Sequence, residues 1–251
     1  MTIQRIAHQG IELAYQLHAG MDPVLVFLPG FGSDMAGTKA LFLRDHCEAR
    51  GQAMLRFDYS GHGVSGGEFT EGCIGRWAGD AAAVIEAAVP KRRLMLVGSS
   101  MGGWIAAILA RDLAAQTDGF VGIAVAPDFT EDLIRPALDA ALMQALARDG
   151  IIMIPNAYGP PTPITRRLLE DGAQQLVLRA PLAIEAPVRL IHGMRDAEVP
   201  FQTSLRLAER ITGANVRITL VKDGEHRLSR AADLALLAQT CWPTVGEAVT
   251  D

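Results

Sequence analysis

A serine at the centre of a Gly-x-Ser-x-Gly motif marks the place where this chain could carry out nucleophilic chemistry. The motif spans residues 98–102, with an apolar run over 94–97 before it and an apolar stretch over 104–110 after it. This spacing is typical of a nucleophile elbow, a sharp turn from strand to helix that raises a serine hydroxyl above a sheet. The flanking patterns matter, since the five residues alone occur in many Gly-rich turns. We predict that Ser100 is the nucleophile.

An active serine needs a base, usually a histidine that a carboxylate orients. On such an elbow the partners follow in the chain order Ser, then Asp or Glu, then His. Only His192 and His226 follow Ser100, and His226 lies in a polar loop after the last predicted strand, whereas His192 ends an apolar strand. We therefore predict His226 as the base. Asp196, just beyond a predicted strand, is the predicted orienting acid, and Asp128, beyond the preceding strand, is the alternative.

Acyl transfer also needs hydrogen-bond donors where an oxyanion forms. Two backbone amides suit this role: that of Met101, directly after the nucleophile, and that of Phe31, in the loop after the third predicted strand. Gly30 and Gly32 flank Phe31 and allow the backbone to approach a substrate, although a plain turn would use the same residues.

A second glycine motif, residues 61–66 (GHGVSG), matches the G-x-G-x-x-G fingerprint of dinucleotide-binding proteins. That fingerprint requires glycines that open a helix directly and an acid at a second strand end about 20 residues later. Here the loop continues through residues 67–72, and Glu86 lies inside an alanine-rich helical run. We predict that no nicotinamide or flavin cofactor binds.

The elements that must position these residues alternate between apolar β-branched runs and helical stretches. This alternation is typical of a mostly parallel sheet with helices on both faces, in an α/β fold. The first two strands have no helix between them and should pair antiparallel. We predict eight strands, at residues 4–8, 11–17, 24–28, 53–57, 94–97, 121–125, 188–191 and 216–221. The predicted helices span residues 38–50, 76–89, 101–116, 201–211 and 231–245.

The interval 128–187 breaks this alternation, because it is too long for one crossover and is rich in proline. Helical spacing of leucine and isoleucine runs over residues 130–148, and we predict a second helix from Pro163 to residue 178. We predict a helical lid over the carboxyl ends of the strands, where open α/β sheets bind ligands. The core of a single domain would then comprise residues 1–127 and 188–251.

Composition narrows the class of partner. The chain has 251 residues, 49% of them hydrophobic, and a formal net charge of -5, which gives no electrostatic reason to expect nucleic acid. Its three cysteines lack C-x-x-C spacing, so neither a disulfide framework nor a metal site is expected. No secretory signal is evident, and glycines and serines interrupt the uncharged stretch 94–110, so we expect no transmembrane segment and a cytoplasmic location.

Together these motifs resemble the α/β-hydrolase fold serine hydrolases, and within them the abhydrolase branch of palmitoyl-protein thioesterases and acyl-glucuronide esterases. The resemblance implies a carboxylic ester or thioester hydrolase that forms an acyl-enzyme on Ser100, with Asp196 and His226 completing the triad. The implied substrate is a small-molecule acyl ester or thioester, or an acylated protein, and no cofactor is implied. The resemblance rests on residues 29–31, 37–40, 56–61, 75–77, 97–104, 190–194 and 226–227.

Two alternatives stay open at this point. A carbon-carbon bond hydrolase or a peptidase would use the same triad and differ only in its pocket. A ligand-binding module could use the same fold without catalysis, although a complete set of Ser, Asp and His argues against it.

Overall fold

The computed structural model describes residues 2–156 and 159–242. Its main sheet has eight strands in the order β1-β2-β4-β3-β5-β6-β9-β10, and the strand pairs β1–β2 and β2–β4 are antiparallel while all others are parallel. The predicted eight-stranded, mostly parallel sheet is therefore confirmed. The strands are β1 Gln4–His8, β2 Ile11–His18, β3 Met21–Leu28, β4 Gln52–Phe57, β5 Leu94–Ser99, β6 Thr117–Ile123, β9 Val188–Gly193 and β10 Val216–Val221.

Helices cover both faces of this sheet, which explains the continuous apolar runs of its central strands. In β3, Val24, Val26 and Leu28 pack on one face with α2 and α3, whereas Leu25 and Phe27 pack on the other face with α1 and α8. The predicted C-terminal helix extended to residue 245, and residues 243–245 lie outside the described part of the chain. The helices of the core are α1 Thr38–Arg50, α2 Ile74–Ala88, α3 Met101–Asp112, α7 Gln202–Arg210 and α8 Ala231–Cys241.

The segment between β6 and β9 differs from the predicted pair of helices, because it also contains a β-hairpin. Antiparallel strands β7 and β8 form a separate two-stranded sheet, so prolines within them interrupt no ladder of the main sheet. The predicted first helix is broken near Asp139, whose carboxylate caps α5 by accepting the Leu142 amide at 2.8 Å. The elements are a helical turn at Thr130–Ile134, α4 Arg135–Ala137, α5 Ala140–Asp149, β7 Ile151–Asn156, β8 Gly159–Thr165 and α6 Arg166–Gly172.

The uncharged stretch 94–110 is divided between β5 and α3. Within the described ranges, no helix has both the length and the apolar character that crossing a membrane requires.

Candidate active site

Ser100 occupies a strained turn between β5 and α3. Its backbone has φ +53° and ψ −118°, a combination that costs a residue with a side chain about 1–3 kcal/mol. The surrounding backbone holds it there: the Ser100 amide donates to the Ile123 carbonyl at 2.9 Å, and the Ser100 carbonyl accepts the amides of Gly103 at 2.9 Å and Ala126 at 3.1 Å. The predicted elbow is present in the structure, with the serine at its apex.

The two glycines of the motif are required by close backbone packing. A Cβ atom placed on Gly102 would lie 2.0 Å from the carbonyl oxygen of Leu28, at the end of β3. A Cβ on Gly98 would lie 2.3 Å from the carbonyl oxygen of Gly102 itself. Only glycine therefore allows α3 to start this close to β3 and β5, which sets the height of Ser100 above the sheet.

The structure brings the three predicted residues into hydrogen-bond contact at the carboxyl edge of the sheet. His226, in the loop after β10, has its Nε2 atom 3.1 Å from Ser100 Oγ and its Nδ1 atom 2.7 Å from Asp196 Oδ2. Glu198 Oε2 lies 3.9 Å from the same Nε2, beyond hydrogen-bond distance. This is the geometry in which the imidazole can accept the proton of the serine hydroxyl.

The Asp196 carboxylate accepts four hydrogen bonds in a fully buried position. Oδ1 accepts the backbone amides of Glu198 at 2.9 Å and Val199 at 2.8 Å, while Oδ2 receives ring N–H groups of His226 and His192. Burial by itself would raise the pKa of Asp196, but these hydrogen bonds and the nearby imidazole outweigh burial and hold the pKa well below its ordinary value. The group is therefore a stable anion that can orient and charge-stabilise His226.

His192 was the other candidate for the base, and the sequence favoured His226 over it. In the structure His192 lies directly behind the Asp196 carboxylate. It is completely buried, and its Nε2 atom is 3.2 Å from Asp196 Oδ2 and 2.9 Å from the Val199 carbonyl oxygen. Two acceptors around Nε2 require a proton there, so Nδ1 accepts the Ser204 hydroxyl at 2.7 Å. His192 lies in β9, four residues before Asp196 in the chain, and this spacing was the signal in the sequence.

Asp128, the alternative orienting acid, has a different role. Its buried carboxylate accepts the backbone amides of Val177 at 2.8 Å and Leu178 at 3.0 Å, and Arg179 Nη1 lies 3.4 Å from it. Burial raises the pKa of Asp128, and the two amides lower it in part. Asp128, in the loop after β6, thus binds the segment that follows α6. The carboxylate that contacts His226 is that of Asp196.

Both predicted oxyanion donors lie beside Ser100. The loop after β3 passes so close that a Cβ atom on Gly30 would lie 3.4 Å from Ser100 Cβ. Met101 is the first residue of α3, where the amides have no acceptor within the helix and the helix dipole is positive. Among the described residues, neither the Phe31 amide nor the Met101 amide donates a hydrogen bond to the protein. Both amides are available to an oxyanion.

A cavity of about 920 Å³ opens over Ser100 and His226. Part of its wall is apolar, and the hairpin of β7 and β8 contributes to it. A second part is polar: Lys39 donates to the Arg227 carbonyl there, and burial, followed by the positive charge of Arg227, lowers the pKa of Lys39 to about 8. The apolar wall comprises Phe31, Phe69, Phe129, Leu133, Ile134 and Ile154.

Elbow, sheet and fold define a class of protein, the serine hydrolases with an α/β-hydrolase fold. The chain belongs to the Hydrolase_4 family, described as serine aminopeptidase, S33, whose model matches residues 20–150.

Particular relatives narrow this class further. The mitochondrial palmitoyl-protein thioesterase ABHD10 of Bos taurus is 34% identical over 231 residues, which cover 91% of this chain and 75% of that protein. The structure of alpha/beta hydrolase domain-containing protein 10 from mouse is 32% identical with a TM-score of 0.87, covering 96% of this chain and 97% of that one. A crystal structure from Agrobacterium vitis S4 is 40% identical with a TM-score of 0.91, covering 96% of both chains. The chain is an ester- or thioester-cleaving serine hydrolase that acts on acyl substrates.

The predicted cytoplasmic location is wrong on this comparison. The ABHD10 relatives from cattle and mouse are both named as mitochondrial, which points away from a purely cytoplasmic protein. The three free cysteines are typical of a reducing environment, which does not distinguish among compartments inside the cell.

Proposed function

We propose that Ser100, His226 and Asp196 form the catalytic triad of an acyl thioesterase. The observation that supports this most directly is the unbroken chain of hydrogen bonds from Ser100 Oγ through His226 to Asp196, at 3.1 and 2.7 Å. In the first step Ser100 Oγ bonds to the substrate carbonyl carbon while His226 Nε2 takes the proton of the Ser100 hydroxyl. The tetrahedral intermediate collapses, the bond to the thiol or alcohol breaks, and the leaving group receives that proton.

Deacylation reverses these roles with water as the nucleophile. His226 removes a proton from water as the water oxygen attacks the Ser100 ester, and the proton returns to Ser100 Oγ when the carboxylic acid leaves. In both steps the Phe31 and Met101 amides donate to the oxyanion, aided by the positive end of α3. Asp196 stays ionised throughout and stabilises the transient imidazolium.

The segment 128–187 acts as the lid in this proposal. It supplies Phe129, Leu133, Ile134 and Ile154 to one side of the cavity, facing Ser100. An apolar wall of this kind favours an apolar acyl chain because burying each CH₂ group contributes about 0.8 kcal/mol. Since relatives of this chain are palmitoyl-protein thioesterases, the proposed substrates are acyl thioesters, including thioesters on protein cysteines.

Covalent labelling tests the nucleophile. A fluorophosphonate probe should label the wild-type protein and Ser99→Ala, but not Ser100→Ala, and hydrolysis of an acyl thioester should follow the same order. Ser99 is the matched control, since it is the neighbouring serine and also lines the cavity. Labelling of Ser100→Ala, or its turnover at more than about a tenth of the wild-type rate, contradicts the assignment.

A substrate panel tests the reaction class. Acyl thioesters and p-nitrophenyl esters with chains of graded length are compared with an aminoacyl p-nitroanilide and a β-diketone. The proposal expects kcat/KM for thioesters to rise with chain length, and to exceed kcat/KM for the amide and the diketone. A preference for the amide would favour a peptidase, in line with the family's description, and cleavage of the diketone would favour a carbon-carbon bond hydrolase. Saturable binding with no turnover of any substrate would indicate a binding module.

A further inference from the structure

The glycine motif at residues 61–66 places a buried histidine against the loop that carries the Phe31 amide. His62 is 3% exposed and lies in the loop after β4. Its ring packs among three aromatic side chains, with centroid distances of 5.5 Å to Tyr59, 5.0 Å to Phe69 and 5.1 Å to Trp77. The proposed mechanism uses no part of this histidine, although His62 contacts the residue next to Phe31, one of the two proposed oxyanion donors.

Two hydrogen bonds specify the tautomer of His62. The Gly32 amide donates to Nε2 at 3.3 Å, so Nε2 carries a lone pair. Nδ1 lies 3.2 Å from the Ser60 carbonyl oxygen, which is an acceptor, so Nδ1 carries the proton. A neutral ring with its proton on Nδ1 satisfies both contacts, whereas a doubly protonated ring would present an N–H group to the Gly32 amide.

A second layer holds the ring in this orientation. The Ser60 carbonyl also accepts the Trp77 Nε1 proton at 3.0 Å. Asp80 Oδ2 accepts both the Ser60 hydroxyl at 2.6 Å and the Ser60 amide at 2.9 Å. Burial lowers the pKa of His62, whereas the Ser60 carbonyl and the negative charges of Asp80 and Asp34 raise it. Burial is the larger effect, so the pKa is lowered and the ring stays neutral.

The Gly32 amide belongs to the turn that presents Phe31. The Ser33 amide donates to the Gly30 carbonyl at 3.0 Å, so Phe31 and Gly32 are the two central residues of this turn. Gly32 has φ +66°, a left-handed conformation that favours glycine. The Ser33–Gly30 hydrogen bond fixes the shape of the turn but not its position relative to the sheet, and the hydrogen bond from the Gly32 amide to His62 Nε2 joins the turn to the loop after β4.

We propose that His62 is a positioning residue for acyl transfer: its Nε2 lone pair accepts the Gly32 amide and so anchors, at one place beside Ser100, the turn whose Phe31 amide donates to the oxyanion. The proposal rests on the proposed function, in which Phe31 is one of two oxyanion donors. The Phe31 side chain is also held, with its ring centroid 4.9 Å from that of Phe69. His62 never touches the substrate in this proposal, and it acts only through the turn.

Two substitutions separate the hydrogen bond from the packing. His62→Phe keeps an aromatic ring in the cluster but removes the acceptor, whereas His62→Gln loses the ring but can place an amide oxygen near the position of Nε2. We expect kcat for a p-nitrophenyl ester to fall by about 10- to 100-fold in His62→Phe, less than the roughly 10²- to 10³-fold that follows loss of an oxyanion donor. His62→Gln should retain at least five times the kcat of His62→Phe. KM should change less than twofold in both.

A role in packing alone predicts the reverse order of kcat, with Phe active and Gln impaired. Rates are expressed per serine titrated by fluorophosphonate, so that a fraction of unfolded protein does not enter the comparison. If His62→Phe yields no titratable protein, His62→Gln is compared with His62→Asn, which carries the same amide on a side chain one carbon too short to reach Gly32. Gln should then be at least five times more active than Asn.

Binding of a trifluoromethyl ketone, which forms a tetrahedral adduct on the serine, gives an independent readout. Its inhibition constant should rise by the same factor as kcat falls, because both depend on the oxyanion donors. The proposal is overturned if His62→Phe keeps kcat within twofold of wild type, or if His62→Gln is no more active than His62→Phe or His62→Asn. Turnover by Ser100→Ala would instead refute the proposed function, so the two failures are distinguishable.

Discussion

Gly102→Ala is expected to impair both stability and catalysis, because the elbow has no space for a methyl group at this position. The added Cβ would lie 2.0 Å from the Leu28 carbonyl oxygen and 2.5 Å from that of Pro29, whereas ordinary van der Waals contact begins at 3.4 Å. The atoms would have to separate by about 1.4 Å. All of the opposing atoms are backbone, so no side chain can rotate away, and the start of α3 must move relative to the end of β3.

The magnitude follows from that displacement. Overpacking a buried site costs about 1–3 kcal/mol, and each kcal/mol lowers the melting temperature of a chain of this size by about 2–4 °C. We therefore expect a decrease of roughly 2–12 °C. A shift of about 1 Å between reacting groups costs about 10²-fold in rate, so kcat per titrated serine should fall by about two orders of magnitude.

Gly79→Ala is the matched control, since it makes the same substitution inside another helix, α2. There the added Cβ would meet nothing closer than His8 Nε2 at 3.7 Å. Alanine in a helix interior is about 1 kcal/mol more favourable than glycine, so this variant should melt at a higher temperature with unchanged kcat. Differential scanning fluorimetry and p-nitrophenyl ester hydrolysis measure both variants. A Gly102→Ala protein with the wild-type melting temperature and kcat within threefold of wild type would refute the packing argument.

Two carboxylates offer further tests. Asp196→Asn should lower kcat by about 10⁴-fold, because the amide carries no charge and has one acceptor oxygen instead of two, so it neither fixes the His226 tautomer nor stabilises the imidazolium. Since hydrogen bonds lower the pKa of Asp196 in the folded state, its stabilising contribution is present above the unfolded value of 3.8 and is lost as pH falls below that value. Urea unfolding between pH 5 and pH 3 should therefore show a shallower loss of stability in Asp196→Asn than in wild type, and equal slopes would contradict the shift. Asp128→Asn should lower the free energy of unfolding by about 1–3 kcal/mol, because one of the two buried amides at residues 177–178 loses its acceptor. The exposed Asp149→Asn is the control in urea unfolding and should change stability by less than about 0.5 kcal/mol, so equal effects of the two would contradict this role of Asp128.

The main sheet could be predicted because its signals are local. Each strand is a short apolar run bounded by turn residues, and each is buried by helices, so its composition reports its position. The prediction failed in the segment between β6 and β9, where β7 and β8 were not expected. Those strands contain prolines, which have low strand propensity, and they form a separate two-stranded sheet. Each is a strand because it pairs with the other, and this pairing is not visible in either segment alone.

The candidate site could also be proposed in large part from the sequence. Ser100, His226 and Asp196 follow three strands whose carboxyl ends meet at one edge. Chain order excludes the four histidines that precede Ser100, and the place of His192 at the end of an apolar strand leaves His226 as the predicted base. The position of His192 behind Asp196 was not predicted, because a buried polar contact between a strand end and its own loop leaves no periodic pattern. Which residues surround a catalytic group depends on contacts in the folded chain, and no local sequence pattern marks those contacts.

The sequence by itself determined the fold class, the elbow, and the serine and histidine proposed to act there, because strand and helix periodicity and motif order are properties of short segments. Only the tertiary structure decided which acid meets His226, what Asp128 binds, and that the GHGVSG loop turns His62 toward Gly32. Those outcomes depend on how segments far apart in the chain pack side by side. The physical reason is that hydrogen-bond partners and close contacts act over about 3–4 Å in space, whatever their separation along the chain.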